Sequence, residues 1–225
     1  MNNLRDIGNT FLIIIDRKGH SMKKMLKISL ILAITYVLSA EYGLYRQEAI
    51  AEGIADKIIR FHVIANSDES VDQKLKLEVR DAIGTYMQQK LSGITDISQS
   101  RQVIKENLQE IEIQAQKVLE AEGCSYPIRA ELKVTDFPEK TYGNYTFRAG
   151  KYEALEVVIG SGKGHNWWCV MYPNLCFFNS VYKVADQEAE ESLGRVLTQE
   201  EYESLVEQKN YKIKFALLEW SMEKL

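Results

Sequence analysis

Apolar and polar residues recur with clear periods along most of the chain, and each period predicts a helix or a strand. A strand is predicted at residues 59–65, with Phe61 and Val63 on one face. Apolar residues then recur at every fourth position of a long helix: Val71, Leu75, Val79, Ile83, Met87 and Leu91. Ser70 and Gln73 have the spacing of a capping box, which predicts the start of this helix.

The middle of the chain predicts a second helix followed by three strands. The helix spans residues 98–122 and ends at Gly123, because glycine tolerates the left-handed backbone of a helix end. Residues 126–134 alternate apolar and charged positions, which is typical of a strand with one solvent-exposed face. Residues 142–147 and 152–159 are predicted to pair with each other as two further strands.

The last third of the chain predicts a short strand, a capped helix and a closing strand. The strand lies at residues 168–172, and Thr198 and Glu201 form a second capping box. Alternation at residues 211–217 predicts the closing strand. These elements predict one mixed α+β domain over residues 45–220, with two long helices packed on a mostly antiparallel sheet.

The N-terminal region has the layout of a secretory signal. Three lysines precede an uncharged apolar run at residues 28–40, which is short for a membrane span that needs about 20 apolar residues. Lysines stay on the cytoplasmic side, so the following domain is expected to be exported. A signal peptide is predicted at residues 22–40, with an uncleaved anchor or a buried helix as alternatives. Met22 is the favoured start, so residues 1–21 are either a cytoplasmic N-terminal extension or the result of a misassigned start.

The rest of the chain has the composition of an acidic globular protein. Of the 225 residues, 45% are hydrophobic and 27% are charged. After residue 40 the chain carries 22 basic and 30 acidic side chains, a formal charge of −8. Phosphate backbones bind basic surfaces, so nucleic acid is not an expected partner. Membrane contact is expected only through the N-terminal segment, if that segment is not cleaved.

Three cysteines lie in the part of the chain that is expected to be exported. Cys169 and Cys176 are seven positions apart with Pro173 between them, so a tight loop can bring them together. Disulfides persist in oxidising compartments, and this spacing predicts a bond between the two. Cys124 has no predicted partner. The alternative is that all three are small buried apolar side chains.

No catalytic or metal-binding signature is complete. A zinc site built from His165, Cys169 and Cys176 lacks a fourth ligand at a recognisable spacing. A thiol hydrolase would pair Cys169 with His62 or His165, but no local motif supports that pairing. The glycine-rich segment 160–164 lacks the Lys-Ser or Lys-Thr step of a phosphate-binding loop. We therefore expect no catalytic residue, metal, cofactor or small-molecule substrate.

Six residues occupy positions suited to contact with a partner protein: Asn66, Asp68, Asp72, Gln73, Trp167 and Trp168. The first four cluster at a strand-to-helix junction and the tryptophans follow the glycine-rich loop, and binding residues concentrate on loops held by a rigid scaffold. Neighbours on a strand point to opposite faces, so one tryptophan can be buried while the other is free. The alternative is that the aspartates support the helix dipole and both tryptophans are covered.

Four segments carry a resemblance to a known family: IRFHVIANSDESVDQKLKLEVRDA at 59–82, FPEKTYG at 137–143, AGKYEALEVVIGSGKGHNWWCV at 149–170, and YPNLCF at 172–177. In these segments and in their order the chain resembles the stage II sporulation protein R family. The chain after residue 178 resembles the family less, and no function is carried over to it.

The resemblance implies an exported signal protein and not an enzyme. Members of the family pass from the forespore into the space between forespore and mother cell. There they activate a membrane-embedded aspartic protease, which processes a sigma-factor precursor during endospore formation. The resemblance therefore implies this protease as the partner. An exported thiol hydrolase that uses Cys169 is the alternative.

Overall fold

The computed structural model describes residues 3–173, 175 and 186–206. The helices in these ranges are α1 (Asn3–Ala55), α2 (Ser70–Lys90), α3 (Ile97–Glu106), α4 (Leu108–Ala121), α5 (Asp186–Val196) and α6 (Gln199–Val206). The strands are β1 (Ile59–Ile64), β2 (Ile128–Phe137), β3 (Lys140–Tyr142), β4 (Tyr145–Phe147), β5 (Gly150–Ile159) and β6 (Asn166–Tyr172). The predicted closing strand at residues 211–217 and Cys176 lie outside the described residues.

A four-stranded sheet forms the centre of the domain, with the strand order β2-β5-β1-β6. Strand β1 is parallel to β5 and antiparallel to β6, while β2 is antiparallel to β5. Strands β3 and β4 pair with each other in a separate two-stranded sheet. The prediction of an α+β fold with mostly antiparallel pairing is therefore confirmed.

The predicted pairing of residues 142–147 with residues 152–159 is wrong. The chain reverses earlier, at Gly143, whose φ of 58° suits the tight turn between β3 and β4. Strand β5 pairs instead with β2, in an unbroken ladder of ten residue pairs. The alternation of residues 142–147 suggested one continuous strand, but the turn at Gly143 divides this segment between β3 and β4.

The predicted helix at residues 98–122 is two helices that meet at Asn107. This residue leaves the helical conformation, with φ −106° and ψ 6°. Its side-chain amide donates to the carbonyl of Val103 at 2.8 Å, and its side-chain oxygen accepts from the hydroxyl of Tyr86. Asparagine side chains compete with the backbone for hydrogen bonds, which explains the break.

One of the two predicted capping boxes is present. The backbone N–H of Thr198 donates to the carboxylate of Glu201 at 2.7 Å, and the N–H of Glu201 donates to the hydroxyl of Thr198 at 3.3 Å. The box predicted for Ser70 and Gln73 is wrong, because α2 has no side-chain hydrogen bond at its N-cap. The amide of Gln73 donates to the carbonyl of Ser67 at 2.9 Å instead.

Apolar side chains pack against both faces of the sheet, so β1 is buried on both sides. On the first face, Phe61 and Val63 pack with residues of α2 and α4, as the alternation of β1 predicted. On the second face, Phe147 packs with Leu193 of α5 and Leu205 of α6. Any polar side chain of β1 on the second face must therefore be accommodated in an apolar interior.

The N-terminal residues form a compact unit of their own, which ends at Ala49, while the second unit begins at Ile50. Among the described residues, one helical stretch, Lys24–Ala55, is long and apolar enough to cross a membrane, and its apolar window is not buried. Large apolar side chains such as Ile31 are exposed along it. A signal peptide and a retained anchor both have this form, which supports the prediction of a signal or anchor segment.

Candidate functional site

Asp72 is the centre of the polar cluster at the junction of β1 and α2. Its side chain is buried, and its carboxylate accepts hydrogen bonds from the Asn66 amide at 2.8 Å and the Ser67 hydroxyl at 2.6 Å. The bond from Ser67, followed by the one from Asn66, holds the pKa of Asp72 below its ordinary value. Asp72 therefore stabilises the junction from inside, and its buried side chain is not available for contact with a partner.

The glycine-rich loop is fastened to this junction by hydrogen bonds. The backbone N–H of Ser161 donates to the side-chain oxygen of Asn66 at 2.9 Å, and the N–H of Gly164 donates to the carbonyl of Ala65 at 2.9 Å. A Cβ at Gly164 would lie 2.2 Å from the carbonyl oxygen of Ser67, so only glycine allows this approach. We call Asn66, Ser67, Asp72, Ser161 and Gly164 the junction network.

Asp68 and His165 are the exposed pair beside the junction network. Their side chains are 55% and 81% exposed, and the Asp68 carboxylate lies 2.6 Å from both the backbone nitrogen and the ring Nδ1 of His165. These contacts with His165 lower the pKa of Asp68. Gln73 is bonded inward to Ser67, and the buried Lys76 donates to the carbonyl of His165 at 3.1 Å. Of the predicted four, Asp68 is exposed, Asn66 and Gln73 are partly buried, and Asp72 is buried.

The two tryptophans pack on opposite faces of the sheet. Trp167 meets the ring of Phe61 edge-on at 5.6 Å, and the Arg80 guanidinium lies 5.0 Å from its centroid. Trp168 stacks on His62, with centroids 4.9 Å apart and an interplanar angle of 7°. Both tryptophans are partly exposed. Each therefore combines a packing contact with a surface that a partner could cover.

A second polar cluster, which the sequence analysis missed, lies on the second face of the sheet around Arg60. Arg60 is fully buried; its Nε donates to the carbonyl of Cys169 at 3.0 Å and its Nη2 to the hydroxyl of Tyr142 at 3.1 Å. The guanidinium carbon lies 4.5 Å from the ring centroid of Phe137 and 4.9 Å from that of Tyr152. Nη1 has no hydrogen-bond partner among the described residues. Burial lowers the pKa of Arg60 from its ordinary value, although a guanidinium remains charged in proteins.

His62 lies two residues further along β1 and is also buried. Its Nε2 is 3.1 Å from the carboxylate of Glu156, which is in turn 2.6 Å from the ammonium group of Lys133. Burial lowers the pKa of His62 to about 4, against the smaller opposing effect of Glu156, so the ring is neutral at pH 7. Neither ring nitrogen makes a well-aligned hydrogen bond in the described parts of the chain, so the contact with Glu156 is a close approach of charge to ring.

We call Arg60, His62, Phe137, Tyr142 and Trp168 the arginine cluster. Its members come from β1, β2, β3 and β6, which are distant in sequence. The sequence signal that could have revealed this cluster is the alternation of β1. It places residues 60 and 62 on the face opposite to Phe61, and in a strand buried on both faces these polar residues must be enclosed. That signal depends on knowing that the second face is covered, which the sequence pattern does not reveal.

The positions of Cys169, His62 and His165 do not suit the thiol hydrolase that the sequence analysis considered as an alternative. Cys169 is disulfide-bonded and pairs with Phe61 across the sheet, so its side chain lies on the face opposite to His62. His165 projects into solvent from the loop. Cys124 is a free thiol, whereas Cys176 lies outside the described residues, so the pairing of Cys169 with Cys176 stays a prediction. Within the described ranges, no group of three or more His, Cys, Asp or Glu side chains is placed to hold a metal ion.

Comparisons with known proteins point to one family. The sequence model of the family described as stage II sporulation protein R matches residues 55–182, which include both clusters. A stage II sporulation protein R from Bacillus subtilis (strain 168) is 40% identical over 141 residues, or 62% of this chain and 63% of that relative. The match thus spans less than two thirds of the relative's length. No solved structure matches the chain.

Proposed function

We propose, from the premise that the chain belongs to the stage II sporulation protein R family, that it is an exported signal protein of endospore formation. The family gives it a role in sporulation. Its proposed location is the space between forespore and mother cell. Its proposed partner is a membrane-embedded aspartic protease of the mother cell, which processes a sigma-factor precursor once activated. The match over residues 55–182 is the observation that carries this proposal.

Features of the two units support export. The apolar stretch within Lys24–Ala55 provides a signal or anchor segment. Cys169 is disulfide-bonded, and such bonds persist in oxidising compartments outside the cytoplasm. The formal charge of −8 after residue 40 also argues against binding to anionic membranes or nucleic acid, which requires a basic surface. These features favour a protein that works outside the cell that makes it.

A signalling role suits the described residues better than thiol catalysis does. A nucleophilic cysteine must be a reactive thiolate beside a base, whereas Cys169 is oxidised and lies across the sheet from His62. Surfaces that a protein partner could contact are present instead at Asp68, His165 and the partly exposed tryptophans. We therefore propose activation through binding, and not through a reaction catalysed by this chain.

Reconstitution in a non-sporulating bacterium tests the proposal. The full chain, the protease and the sigma-factor precursor are produced together, and precursor cleavage is followed by immunoblotting. We expect cleavage only when all three are present and residues 28–40 are intact. Cleavage that persists without this chain, or after deletion of residues 28–40, would contradict the proposal.

A matched pair of cysteine variants separates activation from thiol hydrolysis. Cys169→Ala and Cys176→Ala each remove one cysteine of the predicted disulfide. An activator should lose the same fraction of signalling in both variants, in proportion to the loss of folded protein. A hydrolase that uses Cys169 should be inactive as Cys169→Ala and keep activity as Cys176→Ala, and this asymmetry would favour the enzyme.

A further inference from the structure

Arg60 is a buried cation to which the described residues supply no carboxylate partner. Its bonded nitrogens donate to neutral oxygens, the carbonyl of Cys169 and the hydroxyl of Tyr142. Aromatic rings around the guanidinium, including Phe137 at 4.5 Å, provide cation–π attraction but accept no conventional hydrogen bond from Nη1. A buried charge without an opposite charge is costly to keep. This cost points to a function for Arg60 beyond packing.

The carboxylate of Glu156 is already engaged by other groups. One of its oxygens lies 2.6 Å from the ammonium nitrogen of Lys133 and the other lies 3.1 Å from His62 Nε2. Both oxygens of Glu156 are therefore occupied by Lys133 and His62, and Glu156 does not serve as an acceptor for Arg60 Nη1.

His62 offers a second unsatisfied atom on the same face. Arg60 and His62 are two residues apart on β1, so both side chains point to the same side, and both contact Phe137. Neither ring nitrogen makes a well-aligned hydrogen bond, but Nε2 lies 3.1 Å from the carboxylate of Glu156, so we assign the ring proton to Nε2, which leaves Nδ1 as an acceptor. One face thus presents an unused donor and an unused acceptor that flank the same aromatic ring.

We propose that the arginine cluster binds an acidic residue of a partner polypeptide. The carboxylate of that residue accepts a hydrogen bond from Arg60 Nη1, and a backbone N–H beside it donates to His62 Nδ1. A phosphate dianion fits less well, because the carboxylate of Glu156 beside His62 repels two negative charges more strongly than the single charge of a carboxylate. The inference rests on the proposed function only for the identity of the partner.

In this proposal the partner reaches the buried site at Tyr142. It lies in the β3–β4 hairpin, which has three residues in each strand and forms a sheet separate from the central one. Hairpins of this size have little stability of their own. Tyr142 is partly exposed and its hydroxyl accepts from Arg60 Nη2. The proposal therefore requires this side chain to move outward and expose the guanidinium to the partner.

A binding measurement on the full chain in detergent micelles tests the site without the protease. The chain carries ¹⁵N-labelled arginine, and the side-chain resonance of Arg60 is followed as N-acetyl-aspartate N-methylamide is added. We expect a saturable shift, with about tenfold weaker binding of the asparagine analogue, which lacks the charge. Acetate should also bind more weakly, because it has no N–H group for His62.

Three variants sharpen this measurement. Arg60→Lys should weaken binding of the aspartate probe by about tenfold, because an ammonium group cannot reproduce the geometry of the guanidinium. Tyr142→Phe removes the hydroxyl that competes for Arg60, and it should tighten binding. Arg80→Lys is the matched control, since Arg80 also lies over an aromatic ring but on the other face of the sheet, and it should leave binding unchanged.

The proposal is overturned if the Arg60 resonance does not shift, or if the asparagine analogue binds as tightly as the aspartate probe. Equal binding of acetate would mark a site for small carboxylates and overturn the polypeptide assignment. If Arg60→Lys does not fold, Tyr142→Phe decides the outcome, and weaker binding by that variant counts against the site. Binding of the probe without precursor cleavage in the reconstituted system would instead count against the proposed function alone.

Discussion

Two polar clusters, one after the end of strand β1 and one centred on it, differ in how their polar atoms are satisfied. In the junction network at its carboxyl end, the charge of Asp72 is compensated by hydrogen bonds from Asn66 and Ser67. In the arginine cluster within the strand, Arg60 Nη1 and His62 Nδ1 lack partners among the described residues although both side chains are buried. A completed network thus follows the end of β1, and an incomplete one is centred on residues of the strand itself.

This difference separates structural from functional candidates. A buried network with satisfied hydrogen bonds fixes one local conformation, whereas unsatisfied buried atoms weaken a fold unless something else completes them. Asp72 and Asn66 lock the glycine-rich loop onto the helix start, which explains their positions without a partner. Arg60 and His62 have no such explanation from the described contacts, and they are the residues to which the proposed acidic ligand is assigned.

The largest expected effect comes from breaking the junction network at Gly164. An alanine Cβ there would lie 2.2 Å from the carbonyl oxygen of Ser67, which belongs to the backbone and cannot rotate away. We expect Gly164→Ala to lower the free energy of unfolding by about 3 kcal/mol, measured by urea denaturation. Gly194→Ala is the control, because no atom lies within 4 Å of its added Cβ and helix α5 should gain about 0.5–1 kcal/mol. A mild effect at Gly164 would show that the loop is not locked in place.

Acidification should destabilise the protein through His62. Burial lowers the pKa of His62 from 6.5 to about 4, so the unfolded chain binds a proton at a higher pH than the folded one does. The stabilisation is complete above pH 6.5 and is lost as the pH falls towards 4, by on the order of 3 kcal/mol. Urea denaturation at a series of pH values between 7 and 4 measures this loss. It should largely disappear in His62→Gln, and an unchanged slope in that variant would contradict the assignment.

A smaller loss of stability is expected from Asp72→Asn. The amide can accept fewer hydrogen bonds than the carboxylate, which leaves Asn66 or Ser67 without a partner and costs about 2 kcal/mol of unfolding free energy. Asp81→Asn on the same helix is the control: its side chain is 66% exposed, and its effect should stay within about 0.5 kcal/mol. Equal effects of the two substitutions would mean that the junction network contributes no special stability.

The smallest stability effect is expected at the exposed Asp68. Replacement by alanine removes an interaction with His165 that is open to solvent, so the melting temperature should stay near that of the wild type. If Asp68 contacts the protease, precursor cleavage should nevertheless fall in the reconstituted system. Asp81→Ala, with a similarly exposed carboxylate, should leave both measurements unchanged. Normal cleavage by Asp68→Ala would remove this residue from the contact surface.

Local periodicity was sufficient to predict β1, α2, β2 and the capping box at Thr198, because each depends on residues close in sequence. It failed where one residue decides between alternatives: Asn107 divides a helix and Gly143 shortens a strand into a hairpin. The six predicted contact residues were found near the glycine-rich loop, but their roles depend on burial. The hydrogen bonds that join Asp72 to the glycine-rich loop through Asn66, and the aromatic rings around Arg60, cannot be predicted from the spacing of residues in the sequence. Both depend on segments that are far apart in the chain.

The most direct test compares Arg60→Lys with Asp72→Asn in the reconstituted system, with precursor cleavage expressed per amount of folded chain. If the junction network is structural and the arginine cluster binds the partner, Asp72→Asn should support cleavage like the wild type once folding is accounted for. Arg60→Lys should reduce cleavage to about one tenth, in line with the loss of one charged hydrogen bond. Full activity of folded Arg60→Lys, together with an inactive but folded Asp72→Asn, would contradict this assignment.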